Sequence, residues 1–120
     1  MTNNVRQTGA VDPMAYDELL DSRISDVVTP WGATRKAMFG GTAYMLNGNL
    51  MAGVYKDRLL VRLSAPEGAT ALEEPHVTPF DMMPHPMPGW VTVSYEGVVG
   101  DGLISWLERG RRHAESLPPK

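Results

Sequence analysis

The residues best suited to chemistry in this sequence lie in one proline-rich segment, HVTPFDMMPHPMPG. It brings together His76, Asp81 and His85, and it also holds the methionines Met82, Met83 and Met87. Imidazole and thioether groups together suit copper. Reliable metal-site patterns, however, space their ligands at short regular intervals, and several prolines separate the two histidines. The pattern therefore favours a proline-braced loop whose methionines fill core gaps. A small-ligand or metal-binding site over residues 76–90 stays open as an alternative.

Two other patterns invite a catalytic interpretation, and neither matches its signature. A phosphate-binding loop needs a Lys-Ser or Lys-Thr pair that opens a helix, and a dinucleotide fingerprint needs three spaced glycines. Gly40 and Gly41 instead lie between two strand-like runs, so we expect them to form a bend or a bulge. No serine lies in a Gly-x-Ser-x-Gly context, and the chain contains no cysteine. We therefore expect a protein without enzymatic activity and without a cofactor.

The run ERGRRH near the end of the chain is its one concentration of basic residues. Positive side chains near the C-terminus of a helix are stabilised by the helix dipole, which accounts for these arginines without a partner. The formal net charge of -3 gives no overall field that would attract nucleic acid. A nucleic-acid accessory domain is therefore the less favoured alternative, and its contacts would be Arg109, Arg111 and Arg112.

Length and hydropathy predict a single soluble domain. The 120 residues suffice for one core and not for two. Residues 1–11 are polar and aperiodic, so we expect a disordered tail there and one domain over residues 12–120. The sequence has neither a signal-peptide pattern nor the roughly 18 consecutive apolar residues of a membrane span. We expect a cytoplasmic protein that does not contact a membrane.

Cap and turn residues divide this domain into helices and strands. Asp12 is a candidate N-cap of a first helix that Pro30 ends, and Asp101 is a candidate N-cap of a last helix. Tight-turn signals divide residues 34–63 into an antiparallel meander, and residues 90–96 alternate as a further strand. We therefore predict an α+β fold of two layers, in which an antiparallel sheet of about five or six strands packs with the N-terminal and C-terminal helices.

Apolar residues at three-and-four spacing give each of these helices one face to bury. On the first helix the apolar stripe includes Leu19, Ile24 and Val28, and Asp21 falls mainly on the solvent side. On the last helix the stripe includes Ile104. The apolar face of each helix should pack against the sheet.

The strands of the meander are apolar on both of their own faces. Over residues 42–46 and 49–55, odd and even positions are alike apolar. Strict alternation puts Leu50, Ala52 and Val54 on one face and Met51, Gly53 and Tyr55 on the other. Two helices can cover only one face of such a sheet, and a large exposed apolar patch is uncommon on a soluble monomer. We therefore expect a homodimer that buries the open face. The candidate association residues are Tyr44, Leu46, Met51 and Tyr55.

Three segments of the chain carry a family likeness: RKAMFGGTAYMLNGNLMAGVYKDRLLVRL, PHVTPFDMMPHPMPGWVTV and LISWLERGRRHAESLPPK. Together they resemble the TfoX/Sxy N-terminal domain family, in particular its short stand-alone members. The resemblance implies a compact α+β domain with flanking helices. Longer relatives regulate natural competence and carry a C-terminal domain that we expect this chain to lack. The family supplies no catalytic residues, so we expect its motif to serve backbone geometry and core contact: Met38, Phe39, Gly40, Gly41, Asn47, Gly48, Gly89 and Trp90.

The favoured function is therefore a non-enzymatic protein-association or regulatory module. We expect it to act as a homodimer and to contact a regulatory protein partner. The nucleic-acid domain and the small-ligand or metal site described above are the two alternatives.

Overall fold

A six-stranded antiparallel sheet and three α-helices make up residues 17–120, the part of the chain that this computed structural model describes. The strands follow the order β1-β2-β3-β4-β6-β5 across the sheet. The α+β fold and antiparallel sheet predicted from the sequence are confirmed. In chain order the elements are α1 (Glu18–Val28), β1 (Thr34–Met38), β2 (Gly41–Leu46), β3 (Asn49–Tyr55), β4 (Arg58–Arg62), α2 (Ala65–Ala71), β5 (Val77–Pro79), β6 (Trp90–Val93) and α3 (Gly102–Ser116).

The two long helices begin at aspartates. Asp17 precedes α1, and its carboxylate accepts a hydrogen bond of 3.0 Å from the amide of Leu20, which satisfies one free donor of the first turn. Asp101 precedes α3 as predicted, although its carboxylate makes no capping hydrogen bond. The predicted cap at Asp12 and the predicted tail over residues 1–11 lie outside the described residues.

Tight turns join the first four strands. Asn47–Gly48 forms the predicted two-residue turn, with φ of 55° and 82°, and these positive values suit the twist of a hairpin. Phe39–Gly40 forms the same kind of turn, with φ of 59° and 75°. The sharp bend predicted at the glycine pair is therefore one residue earlier, because Gly41 already pairs with Met38 in the sheet.

A β-bulge in β3 changes the predicted assignment of side chains to faces. Tyr44 pairs with Ala52 and Met45 pairs with Leu50, so Met51 is an extra residue between two pairs. Met51 consequently joins the face of Tyr44, and Leu50 joins the opposite face. Met51 and Ala52 therefore share a face, and the strict alternation predicted for this strand is broken between them.

Helices α1 and α3 pack on one face of the sheet, which is called the helix face below. Ile24 and Val28 of α1 are buried there as predicted. Two residues of the predicted stripes are exposed instead: Leu19 retains 72% of its accessible surface and Ile104 retains 45%. Each lies at the margin of its stripe, where a small rotation of the helix decides burial. Asp21 was predicted to lie mainly on the solvent side, but it is buried.

The opposite face, called the open face below, has a smaller core of its own. Five buried residues form it: Ala43, Leu50, Tyr55, Leu60 and Phe80. Partly exposed residues pack around them: Met38, Phe39, Met45, Met87 and Trp90. Strand side chains and the proline-rich segment cover this face, whereas α1 and α3 lie on the other. The prediction that the long helices would serve only one face is confirmed.

The two edges of the sheet differ. β5 has three residues and ends in Pro79, which has no amide hydrogen to donate. β1 has five residues, including the charged Arg35 and Lys36, and pairs with β2 on one side. Within residues 17–120, no helix combines the length and the hydrophobicity needed to cross a bilayer.

We predict that Gly89 is needed for close packing as well as for its backbone angle. Its φ is +89°, and a Cβ there would lie 2.2 Å from the carbonyl oxygen of Leu63. Gly32 is a matched control, because its φ is +91° with nothing within 4 Å of the added atom. Gly32→Ala should cost about 1 to 2 kcal/mol of unfolding free energy, the ordinary cost of a left-handed residue. Gly89→Ala should cost about 3 kcal/mol or more, since backbone must move.

Urea unfolding of both variants measures the difference. Equal losses in the two would show that the backbone angle alone matters at Gly89.

Candidate functional site

The carboxylate of Asp21 is buried between α1 and the first two strands. Its Oδ1 accepts hydrogen bonds from the hydroxyls of Tyr44, at 2.6 Å, and Thr42, at 2.8 Å. Its Oδ2 accepts from the guanidinium of Arg35, at 2.7 Å from Nη2 and 3.2 Å from Nε. The strand register brings these donors together, because Arg35 pairs directly with Tyr44 and Thr42 lies two residues away on the same face.

This arrangement keeps Asp21 ionised. Burial raises the pKa of the Asp21 carboxyl, but hydrogen bonds from Arg35, Tyr44 and Thr42 outweigh burial and hold the pKa below its usual 3.8. Burial, followed by the hydrogen bond to Asp21, raises the pKa of Tyr44 to about 12. The hydrogen bond and the charge of Asp21 raise the pKa of Arg35. The network is therefore an ionised carboxylate held by three donors.

The network suits a structural role better than a catalytic one. Tyr44 exposes 1% of its surface and Thr42 exposes 2%, so a substrate has no path to the hydroxyls. Sequence reasoning missed Asp21 because its position is at the edge of the apolar stripe. The available signal was the Thr-x-Tyr pattern of β2, which puts two hydroxyls on a face that must be buried and therefore needs a partner.

The four candidate association residues do not form an exposed surface. Tyr44, Leu46 and Met51 lie beneath the helices on the helix face. Tyr55 belongs to the core of the open face. All four are buried within the chain, so the prediction that these particular residues contact a partner is corrected. The bulge at Met51 and the helix packing together explain the difference.

An aromatic cluster occupies one end of the open face. Phe80 stacks on Trp90 with ring centroids 5.7 Å apart, and Phe39 meets Phe80 edge-on at 5.3 Å. Such pairs stabilise beyond the area that they bury. The guanidinium of Arg62 lies 5.6 Å from the Trp90 ring. The partly exposed members of this cluster are called the aromatic face: Met38, Phe39, Met45, Met87 and Trp90.

A cleft of about 320 Å³ occupies the other end of the open face. Of the three polar groups named in the proline-rich segment, Asp81 lines this cleft, whereas His76 and His85 are exposed and do not line it. This charged cleft is lined by Tyr55, Lys56, Arg58, Thr78, Pro79, Asp81 and Thr92. Within residues 17–120, no group of three or more His, Cys, Asp or Glu side chains could hold a metal ion.

The candidate nucleic-acid arginines lie on α3, and two of them are engaged within the chain. Arg109 forms ion pairs with Glu74 at 3.0 Å and with Glu67 at 3.5 Å, and it lies over Trp106. Arg111 pairs with Glu115 at 3.2 Å. Arg112 is exposed. The acidic partners offset the basic charge that phosphate contacts would need.

The family motif residues lie at turns and close contacts. Met38 to Gly41 form the β1–β2 turn, and Asn47–Gly48 form the β2–β3 turn. The carbonyl of Asn47 accepts a hydrogen bond of 2.8 Å from the amide of Lys120, which places the last residues against this turn. Gly89 and Trp90 lead into β6.

Comparison with protein families finds one match that spans most of the chain. The model of the TfoX N-terminal domain matches residues 27–112 of the 120. The matched range includes the whole sheet, both turns of the motif and most of α3. Comparisons with curated proteins and with solved structures find no match.

We predict that the hydroxyl of Tyr44 contributes to stability through Asp21. Tyr44→Phe should lower the unfolding free energy by about 2 kcal/mol, because it removes a hydrogen bond to a buried charged group. Tyr55→Phe is the matched control, since that hydroxyl makes no hydrogen bond within residues 17–120. Its cost should stay within about 0.5 kcal/mol. Urea unfolding at neutral pH measures both, and equal costs would contradict the role given to Asp21.

The raised pKa of Tyr44 also predicts how stability depends on pH. The unfolded tyrosine loses its proton near pH 10, whereas the folded pKa of Tyr44 is about 12. Its contribution to stability is therefore complete below pH 10 and is lost as the pH rises toward 12. The stability difference between the wild type and Tyr44→Phe should be constant up to pH 10 and should shrink above it. A difference that stays constant to pH 11.5 would contradict the shift.

Proposed function

Because the chain belongs to the TfoX N-terminal domain family, we propose that it is a non-enzymatic association module that pairs with a second copy of itself and serves a regulatory role in that form. The single observation that supports this proposal is the aromatic face, which stays partly exposed on the side of the sheet that α1 and α3 leave open. Exposed clusters of methionine and aromatic side chains are typical of contact surfaces.

The conformation of Phe39 supports a contact role for this face. Its φ of 59° lies in the left-handed region, which a bulky side chain adopts only at a cost. Asparagine or glycine would fit the same turn position without that cost. The strained backbone holds an aromatic ring at the partly exposed margin of the cluster, and strain of this kind is concentrated at functional surfaces.

A second copy is the partner that this face suits. In a two-fold dimer each side chain contributes twice, so a small cluster supplies both halves of the contact. Lys36 lies on the same face, because it pairs with Ala43, and Arg62 lies over Trp90. These cations sit at the fringe, where two copies would repel each other weakly. Homodimer formation should therefore strengthen with added salt, whereas capture of an acidic protein would weaken.

The engaged arginines of α3 give no comparable support to nucleic-acid binding. Arg109 and Arg111 already have carboxylate partners. The association module therefore remains the function that the geometry favours.

We predict that Phe39→Asn abolishes pairing and leaves the fold intact. The change removes the partly exposed ring with its contacts to Phe80 and Trp90, and it relieves the left-handed strain, so the two effects on monomer stability oppose each other. Sedimentation equilibrium at tens of micromolar protein should give a dimer for the wild type and a monomer for the variant.

Tyr95→Asn is the matched control, because Tyr95 is 65% exposed and does not belong to the aromatic face. This control should remain dimeric. A wild type that is monomeric at all salt concentrations would end the proposal, and a dimer that survives Phe39→Asn would move the contact elsewhere.

A further inference from the structure

The charged cleft has opposite charges on its two walls. The strand order β3-β4-β6-β5 puts Lys56 and Arg58 on the side of β3 and β4. Asp81 follows β5, on the far side, and Thr92 of β6 forms the floor between them. The cleft is therefore dipolar: its cations face its carboxylate across a floor of hydroxyl groups.

The charged side chains of the cleft are available to a ligand. Within residues 17–120, Lys56, Arg58 and Asp81 form no ion pair, although the ammonium group of Lys56 lies 5.1 Å from the centroid of the Tyr55 ring. Arg58 donates one long hydrogen bond of 3.4 Å to the hydroxyl of Thr78. A guanidinium has five N–H donors in a fixed fork that matches a carboxylate, so Arg58 retains most of its capacity.

The hydroxyl groups of Thr78 and Thr92 make the floor of the cleft polar. Thr92 exposes 2% of its surface, and its hydroxyl lies 2.7 Å from that of Thr78. Either hydroxyl can donate to the other, and the Thr78 hydroxyl also accepts from Arg58. A ligand that displaces Arg58 from Thr78 would free an acceptor there.

Shape and apolar area limit what can enter. The cleft holds about 320 Å³, at the small end of the range for ligand sites. The ring of Tyr55 and the pyrrolidine of Pro79 supply apolar wall. A simple anion would meet the carboxylate of Asp81, and a simple cation would meet Arg58, so the walls favour a molecule that carries both charges.

We propose that the charged cleft binds a small zwitterion of the amino-acid type, with its carboxylate on Arg58 and Lys56 and its ammonium group on Asp81. This site is separate from the aromatic face and goes beyond the association function, so either can fail without the other.

Three probes that differ by one charged group test the proposal. L-phenylalanine has both groups, 3-phenylpropionate lacks the ammonium, and 2-phenylethylamine lacks the carboxylate. Each is titrated at constant ionic strength while the amide resonances of Thr78 and Thr92 are followed by NMR, where the probe ring adds its own shift. L-phenylalanine should saturate the change with a Kd of about 1 mM or below, and the other two should bind at least about tenfold more weakly.

Variants that remove one charge test whether Arg58 and Asp81 contact the ligand. Arg58→Gln and Asp81→Asn should each weaken L-phenylalanine binding about tenfold, since each removes one charge-assisted contact. Arg112→Gln and Asp26→Asn make the same changes at exposed positions on α3 and α1, outside the cleft, and should leave binding unchanged. Thermal unfolding of all four variants confirms that they are folded.

Two results would overturn the proposal. One is the lack of any saturable shift with L-phenylalanine. The other is equal binding of 3-phenylpropionate and L-phenylalanine, which would show that Asp81 does not bind the ammonium group. Loss of binding in the control variants to the same degree as in Arg58→Gln and Asp81→Asn would likewise contradict it.

Discussion

The ionised carboxylate of Asp21 holds together the end of the sheet at which the apolar core gives the least support. The side chains of β1 are mostly exposed, so that strand buries little apolar surface of its own. Arg35 ties it to α1 through Asp21, and Tyr44 and Thr42 tie the neighbouring strand to the same carboxylate. A buried charge is costly unless it is fully paired, and here three side chains pair it. The turn that follows β1 carries Phe39, so this polar contact also supports the aromatic face.

The open face, which the long helices do not cover, has two chemically different regions. Apolar rings occupy the end near β1 and the proline-rich segment, and charged groups occupy the end near the β3–β4 turn. Tyr55 belongs to both, because its ring meets Phe80 edge-on at 5.0 Å and also lines the charged cleft. The two regions are therefore in physical contact through packed rings, while their ligands would differ in kind.

Much of this fold follows from local rules, and the sites do not. Asn47–Gly48 specifies a hairpin. The alternation in β4 also assigns faces correctly, because Arg58 and Arg62 mark the set of positions that includes Leu60. Around Met51 every neighbour is apolar, so no pattern marks a bulge. The charged cleft gathers residues from β3, β4, β5 and β6 that lie far apart along the chain, and only the order of strands brings them together. The hydrogen-bond partners of Asp21 could not be predicted from the sequence for a similar reason, since they lie on other elements.

The unlike edges of the sheet limit how copies of the chain can join by strand addition. A fibre requires each copy to extend the hydrogen-bonded ladder at both margins, because one margin receives the previous copy and the other receives the next. The short strand that ends in Pro79 offers a poor template at one margin. Addition at β1 alone would join two chains and then have nowhere to continue. Pro79, at this edge of the sheet, therefore hinders open-ended polymerisation by strand addition.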